Sequence, residues 1–251
     1  MASTKIQLIG GPTALIEYGG LRLLTDPTFD PPGDYPVGDA RGLVKTEQPA
    51  VSVDQIGHLD VVLLSHDEHP DNLDTTGRKL LADVPLVLTT VGGAERLGGT
   101  AKALPNWQST TVGGVTIIGV PALHGPRGAE AVVGEVIGFV LSGDGLPTVY
   151  VSGDNASLEV VEEVAYHTGP IDVAVLFAGG ARVPVMNAYL TLTSDHAARA
   201  AEILDAQAVV PVHIEGWEHF TQGPGTIRDA FAKRDLGDRL VLLKSGETAE
   251  F

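Results

Sequence analysis

Residues 65–74 limit the fold of this chain more than any other segment. They contain two histidines and four carboxylates, and they directly follow the apolar run at residues 61–64. A strand that is apolar to its last residue is typical of a buried strand, and loops after such strands carry the catalytic groups of many α/β proteins. Imidazole and carboxylate together form a ligand set that Zn²⁺ and similar divalent ions accept. A charged surface turn has the same composition, so this segment alone leaves both interpretations open.

The lack of cysteine limits which atoms would bind a metal. The chain has 251 residues and no cysteine, which excludes disulfides, iron–sulfur clusters and thiolate sites and leaves nitrogen and oxygen ligands. The length suits one large domain, residues 1–251, with a substantial core. No apolar run approaches the roughly 18 residues of a membrane span, and the N-terminus lacks the pattern of a signal segment. We therefore expect a soluble, cytoplasmic protein without a membrane partner.

The charge of the chain bears on its partners. Its 16 basic and 32 acidic residues give a formal net charge of −16. Such a surface repels the phosphates of nucleic acids and anionic lipids, so we expect a small-molecule substrate and no nucleic-acid partner. The sequence does not fix the oligomeric state.

The first quarter of the chain predicts short strands and one long loop. Residues 6–9, 13–18 and 21–25 are rich in apolar or β-branched side chains and are separated by glycine-containing turns. Residues 26–49 are rich in proline and glycine, and a loop of this length is more often functional than idle. It is a candidate lid or substrate wall, with a plain surface loop as the alternative.

From residue 60 the pattern predicts strands that alternate with helices, hence a mixed α/β (α+β) fold. The expected strands are residues 60–64, 86–89, 116–120, 136–141, 148–151, 173–177 and 208–212, and the expected helices are residues 74–82, 157–167, 194–206 and 226–234. Ser194 is the expected N-cap of its helix. Gly92 and Gly93 have the pattern of turn glycines.

Four of these strands lead into a residue that can bind a metal. In chain order these residues are His66, His124, Asp154 and His213. Each alone has an ordinary explanation, such as a turn histidine or a helix cap. All four at the carboxyl ends of buried strands are harder to dismiss, because ligands must converge from distant parts of the chain and adjacent strand ends bring them together.

At the level of motifs the chain resembles the metallo-β-lactamase-fold hydrolases, from about residue 6 to residue 245. The motifs that carry the resemblance, in order, are Thr25-Asp26-Pro27, residues 65–71, Leu123-His124-Gly125, Ser152-Gly153-Asp154 and Pro211-Val212-His213. Residues 15–27 are most similar to the branch of ascorbate-phosphate lactonase-like and N-acyl-phosphatidylethanolamine phospholipase D-like enzymes. The resemblance implies a four-layer αβ/βα sandwich, with a metal site at the edge where the two sheets meet.

The principal family motif is altered in this chain. It has the form His-x-His-x-Asp-His, but here one extra residue follows His66, and Asn72 stands at the final histidine. Either His69 or Glu68 takes the place of the second histidine. We favour His69, because Asp71 then follows two residues later, as in the motif.

The resemblance implies a first ion at His66, His69 and His124 and a second at Asp71, Asp154 and His213. Zn²⁺ is the expected ion and Mn²⁺ the alternative, with one or two ions bound. Asn72 would coordinate through its amide oxygen more weakly than an imidazole, so the second ion is expected to be weakly held or absent. Asp71 would orient or deprotonate the attacking water, and Asp154 would bridge two ions.

Two further residues follow from the same resemblance. Asp26 is expected beside the metal loop, supporting ligands without binding metal. Gly11 stands where related enzymes often carry a histidine, and His219 either reaches the pocket in compensation or, as we favour, has a structural or surface role. The implied function is hydrolysis of a small ester, lactone or phosphodiester. The alternative is a metal- or ligand-binding protein with little hydrolytic activity.

Overall fold

Two facing β-sheets organise the computed structural model, which describes residues 4–37, 40–184 and 186–251, with backbone only at residues 40 and 41. The strands are β1 Lys5–Gly10, β2 Thr13–Tyr18, β3 Leu21–Thr25, β4 Gly33–Val37, β5 Ala40–Lys45, β6 Val61–Leu63, β7 Val87–Thr89, β8 Ala101–Ala103, β9 Ser109–Val112, β10 Val115–Pro121, β11 Ile137–Ser142, β12 Val149–Val151, β13 Val173–Phe177, β14 Ala208–Val212 and β15 Thr248–Glu250. The helices are α1 Thr75–Leu80, α2 Val91–Leu97, α3 Glu130–Val133, α4 Leu158–Thr168, α5 Ser194–Ile203 and α6 Pro224–Ala232.

The strand order of each sheet places the loops of interest at one edge. The first sheet has the order β15-β1-β2-β3-β6-β7-β8 and the second β14-β13-β12-β11-β10-β9. Strands β3, β6, β7 and β8 are parallel, as are β12, β13 and β14, and the remaining neighbours in these two sheets are antiparallel. The carboxyl ends of neighbouring parallel strands therefore meet at a common edge, where α/β proteins place their functional loops.

Three buried clusters give the molecule its four layers. One lies between the two sheets and includes Ile16, Leu63 and Phe139. A second packs α4, α5 and α6 against the outer face of the second sheet, and a third covers the outer face of the first sheet. Strands such as β6 and β13 are buried on both faces, which explains their unbroken apolar sequence. The predicted αβ/βα sandwich is confirmed.

Most predicted strands and helices lie within a few residues of their observed positions, but two local predictions are wrong. Ser194 is the first residue of α5 rather than its cap, because the Thr193 hydroxyl accepts the hydrogen bond from the His196 amide at 3.2 Å. Gly92 and Gly93 lie inside α2 rather than in a turn. A Cβ on Gly93 would stand 2.9 Å from the hydroxyl oxygens of Thr89 and Thr90 and 3.2 Å from an Asp67 carboxylate oxygen, so glycine allows α2 to approach both the end of β7 and the metal loop.

The long loop at residues 26–49 contains the hairpin of β4 and β5. Tyr35 packs edge-on against Trp217, with ring centroids 5.8 Å apart. At the root of the hairpin, Lys45 is buried, and its Nζ lies 3.2 Å from the Thr28 carbonyl and 3.5 Å from Asp74 Oδ2. The hairpin thus forms a wall beside residues 217–219. None of the described helices combines the length and apolarity that a membrane crossing requires.

Candidate metal centre

The four strand ends that the sequence singled out meet in space. His66 follows β6, His124 follows β10, Asp154 follows β12 and His213 follows β14. Each of these side chains is at most 5% exposed. The backbone of His213 adopts φ +57°, and its amide donates to the Gly11 carbonyl at 2.7 Å. This sharp turn at the end of β14 directs the imidazole toward the other ligands.

A first group of donor atoms consists of three imidazoles, His66, His69 and His124, whose nitrogens lie within 4.8 Å of one another. Nδ1 of His124 donates to the Leu190 carbonyl at 2.8 Å, which leaves Nε2 as the lone-pair nitrogen. Burial lowers the pKa of all three imidazoles, for His124 to about 3. These histidines are therefore neutral, the form that binds a metal.

A second group consists of Asp71, Asp154 and His213, again within 4.8 Å. The Asp154 carboxylate lies between the two groups, with Oδ2 3.6 Å from His124 Nε2 and Oδ1 3.6 Å from His213 Nε2. Burial and the neighbouring Asp71 raise the pKa of Asp154 well above its usual range. Burial acts in the same direction on Asp71, but the neighbouring His219 and His213 outweigh it and hold its pKa well below the usual range.

The donor atoms of both groups fit a divalent cation. Asp71 Oδ1 and Asp154 Oδ2 are buried and have no hydrogen-bond partner among the described residues. A buried carboxylate oxygen without a partner is costly, and a coordinated cation removes that cost. Oxygen and nitrogen donors of this kind suit Zn²⁺ and Mn²⁺.

The predicted position of Asp26 beside the metal loop is confirmed. Its Oδ1 accepts from the Ser65 amide and its Oδ2 from the Ser65 hydroxyl, both at 2.6 Å. Because that hydroxyl donates to Asp26, it accepts from Nδ1 of His66 at 3.0 Å, which leaves Nε2 of His66 for a metal. Burial raises the pKa of Asp26 to about 7, although the hydrogen bonds from Ser65 act to lower it.

The geometry favours His69 over Glu68 as the partner of His66. His69 Nδ1 lies 2.9 Å from His66 Nε2, whereas Glu68 turns outward and pairs with Arg96 at 2.6 Å. The preceding Asp67 is buried and also bound by Arg96, through Nε at 3.1 Å to each carboxylate oxygen. The extra residue of the motif is thus accommodated on the side of the loop that faces α2.

Asn72 lies beside two carboxylates. Its Nδ2 lies 2.9 Å from Asp26 Oδ2 and 3.4 Å from Asp154 Oδ1. The amide nitrogen rather than the amide oxygen therefore faces Asp154. Asn72 thus links two carboxylates through its amide nitrogen, while its Oδ1 is buried without a hydrogen-bond partner among the described residues. The expectation that this oxygen is a weak ligand stays a prediction.

His219 lies against the second donor group, a position that the favoured sequence interpretation missed. Its Nε2 lies 3.0 Å from Asp71 Oδ2, and its side chain is only 10% exposed. Gly11 has φ +54°, and a Cβ there would stand 3.2 Å from Nε1 of Trp217. The indole thus occupies the space beside Gly11, and the loop that carries Trp217 also places His219 beside Asp71. The only sequence signal was the shortage of histidine near the N-terminus.

Fold and site together define a metallo-β-lactamase-type protein, and comparison with known proteins identifies the family. The model of the β-lactamase superfamily domain matches residues 21–214, so the chain belongs to that family. A UPF0173 metal-dependent hydrolase of Pyrococcus abyssi is 28% identical over 252 residues, covering 98% of this chain and 99% of the relative. One of Methanosphaerula palustris is 30% identical over 201 residues, covering 76% and 84%. The predicted family and the predicted class, a metal-dependent hydrolase, are confirmed.

Solved structures agree on the fold. A possible metal-dependent hydrolase from Veillonella parvula superposes with a TM-score of 0.87 at 18% identity, covering 99% of both chains. The isothiocyanate hydrolase from Delia radicum gut bacteria gives a TM-score of 0.84 at 21% identity, covering 98% of this chain and 99% of that chain. At these identities the likeness concerns the fold, and the chemistry must be argued from the residues of this chain.

Proposed function

We propose that this chain hydrolyses a small ester, lactone or phosphodiester with a water molecule activated by a divalent metal. The metal would be held by His66, His69 and His124, with Asp71, Asp154 and His213 forming the second site. The observation that carries the proposal is the position of Asp154, whose two carboxylate oxygens face the two donor groups. A bound divalent ion lowers the pKa of a coordinated water and polarises the bond under attack.

Asp71 is the proposed catalytic carboxylate. Its Oδ2 lies near the imidazoles of His213 and His219, at 3.2 and 3.0 Å. Its Oδ1 is buried without a hydrogen-bond partner among the described residues. That oxygen is available to orient a water molecule and to accept its proton.

The donor sets suggest which ions bind. Three imidazoles at the first site suit Zn²⁺, and two carboxylates at the second also suit an oxygen-preferring ion such as Mn²⁺. One or two ions are compatible with this arrangement. The proposal includes a single catalytic domain over residues 1–251 in the cytoplasm, without a nucleic-acid or membrane partner, in line with the net charge of −16.

The charges around the metal loop rank the substrates. Arg96 and Arg78 are occupied by Asp67, and Arg96 also by Glu68. The buried Lys45 pairs with Asp74. These three cations are therefore paired with carboxylates of the protein, and a phosphodiester would depend on the divalent ions alone for neutralisation. We rank an uncharged ester or lactone ahead of it.

The test is turnover by metal-loaded protein. Protein purified without chelator is assayed for bound metal, then with chromogenic esters, lactones and phosphodiesters, alongside His66→Ala and the control His196→Ala, which lies on α5 outside both donor groups. We expect turnover that His66→Ala abolishes and His196→Ala retains. A metal-loaded wild type no faster than His66→Ala on every substrate would favour the alternative, a metal-binding protein with little hydrolytic activity.

A further inference from the structure

The second donor group lacks one imidazole that the family motif supplies. Residue 72 is asparagine, and its amide nitrogen faces Asp26 and Asp154. Asp71, Asp154 and His213 offer three protein ligands in the arrangement seen here. Three protein ligands leave one position of a tetrahedral Zn²⁺ open, which either a water molecule or a donor from another part of the chain would fill.

We propose that His219 is that fourth ligand and supplies to the second ion the imidazole that residue 72 does not. The inference rests on the proposed metal site. Nε2 of His219 and Nε2 of His213 both point at Oδ2 of Asp71, at 3.0 and 3.2 Å. Ligands that bind one Zn²⁺ at about 2.0–2.2 Å in a tetrahedral arrangement lie about 3.3 Å from each other. The distances from Asp71 Oδ2 to the two imidazole nitrogens are close to that spacing. His219 lies outside the group of Asp71, Asp154 and His213 as that group stands without an ion, so its imidazole would move toward the ion on binding.

The polypeptide around His219 is held firmly enough to place a ligand. The Arg182 amide donates to the His219 carbonyl at 3.0 Å, and the Glu218 amide donates to the Val44 carbonyl at 2.9 Å. On the hairpin side, the Thr46 amide donates to the Gly216 carbonyl at 2.8 Å. Trp217 is 3% exposed. A ligand needs this support, because an imidazole on a loose loop would lose entropy on binding a metal.

The surroundings of His219 are those of a buried metal ligand rather than of a surface histidine. The imidazole is 10% exposed and packs edge-on against Phe220, with ring centroids 4.6 Å apart. Asp71, which contacts this imidazole, and Asp154 of the same donor group are both buried. A cation would stabilise the ionised form of both buried carboxylates, and imidazole ligands complete its coordination without adding charge.

The experiment is calorimetric titration of metal-free protein with Zn²⁺. We expect two ions in the wild type and in the control His196→Ala. In His219→Ala and His219→Gln the first ion should keep its affinity, while the second should bind at least about 100-fold more weakly, the upper end of what loss of an outer partner causes.

Two outcomes would overturn the proposal. Because glutamine can still donate a hydrogen bond to Asp71, two ions of wild-type affinity in His219→Gln would make His219 a positioning residue only. The second outcome is a wild type that binds a single ion, which is lost in His66→Ala and bound with unchanged affinity in both His219 variants. This result would reject His219 as a ligand while leaving the proposed hydrolase intact. No divalent ion bound to the wild type would reject both.

A measurement on the wild type keeps the test independent of variant folding. In the Co²⁺-loaded protein, each bound imidazole gives a paramagnetically shifted N–H resonance. Our ligand set predicts five such resonances, from the histidines of both groups and His219. Four resonances at saturating Co²⁺ would contradict the proposal.

Discussion

Replacing Arg96 with alanine tests whether a guanidinium on α2 holds the metal loop in place. Arg96 binds both carboxylate oxygens of Asp67 through Nε at 3.1 Å and also pairs with Glu68 at 2.6 Å. These two acidic residues separate His66 from His69. We therefore expect Arg96→Ala to destabilise the protein and to weaken metal binding at the first site.

The burial of the two partners sets the size of the effect. The Asp67 side chain is 3% exposed, whereas that of Arg96 is 46% exposed. Breaking a fully buried pair costs about 3–5 kcal/mol, and a fully exposed pair contributes about 0–1 kcal/mol. Arg78 remains 3.8 Å from the Asp67 carboxylate and compensates in part. We expect Arg96→Ala to lower the free energy of unfolding by about 2 kcal/mol, between the values for a buried and an exposed pair. Metal affinity should fall about 10- to 100-fold.

The assay is urea unfolding of metal-free protein, followed by titration with Zn²⁺. Arg234→Ala is the matched control, because Arg234 pairs with Asp195 and Glu202 at side-chain exposures of 64% and 44%. It should change the free energy of unfolding by less than about 1 kcal/mol and leave metal affinity unchanged. Adding Asp67→Ala to Arg96→Ala removes the stranded carboxylate, so the double variant should lose less than the sum of the single variants.

Additive losses in that cycle, or an Arg96→Ala variant within about 0.5 kcal/mol of the wild type, would refute the reasoning. Either result would mean that the loop keeps its shape without the guanidinium. Unchanged Zn²⁺ affinity in a destabilised variant would separate the two claims and leave Arg96 with a purely structural role.

Three further predictions concern the metal and Gly11. His124→Ala should lose the ion of the first group, measured as metal content after gel filtration; full stoichiometry would show that His124 is not a ligand. Removal of divalent ions with a chelator should lower the Tm, because Asp71 and Asp154 then lie buried without a cation. The Tm is measured by calorimetry before chelation, after it, and after Zn²⁺ is restored as the control. The same Tm in all three samples would contradict this prediction. Gly11→Ala should cost about 1–2 kcal/mol, because φ is +54° and the indole of Trp217 is close. Gly225 in α6 has open space around it, so Gly225→Ala should be neutral or slightly stabilising, and equal unfolding midpoints for the two variants would argue against backbone strain at Gly11.

The ligands that follow strands were predictable because strand ends have a fixed place in the fold. A strand that is apolar throughout is buried, and parallel strands of one sheet end at the same edge, so Asp154 after β12 and His213 after β14 could be brought together without knowing any loop. His66 follows β6 of the other sheet, and its place beside them came from the family resemblance. His69 and Asp71 followed from alignment of this loop with the family motif, which left Glu68 as the alternative to His69. The two-sheet architecture itself came from the family resemblance of the motifs.

His219 and Gly93 were not predictable in the same way, because their roles depend on tertiary approach. His219 reaches the pocket through a loop whose course is set by hydrogen bonds to the hairpin and by Trp217 beside Gly11. Gly93 resembles a turn residue until α2 is seen packed against Asp67. The cap of α5 was a choice between two adjacent hydroxyl residues, which pattern alone does not separate.

The single carboxylate of Asp74 joins two elements that the sequence keeps apart. Its Oδ1 accepts from the Gly77 amide at 2.8 Å and caps α1, while its Oδ2 lies 3.5 Å from the buried Nζ of Lys45 at the root of the hairpin. A relative that lacks the lysine would leave this carboxylate buried without a cation, whereas serine or asparagine would still cap the helix without charge. Positions 45 and 74 should therefore covary across relatives, with lysine accompanying aspartate and an apolar residue accompanying a neutral cap.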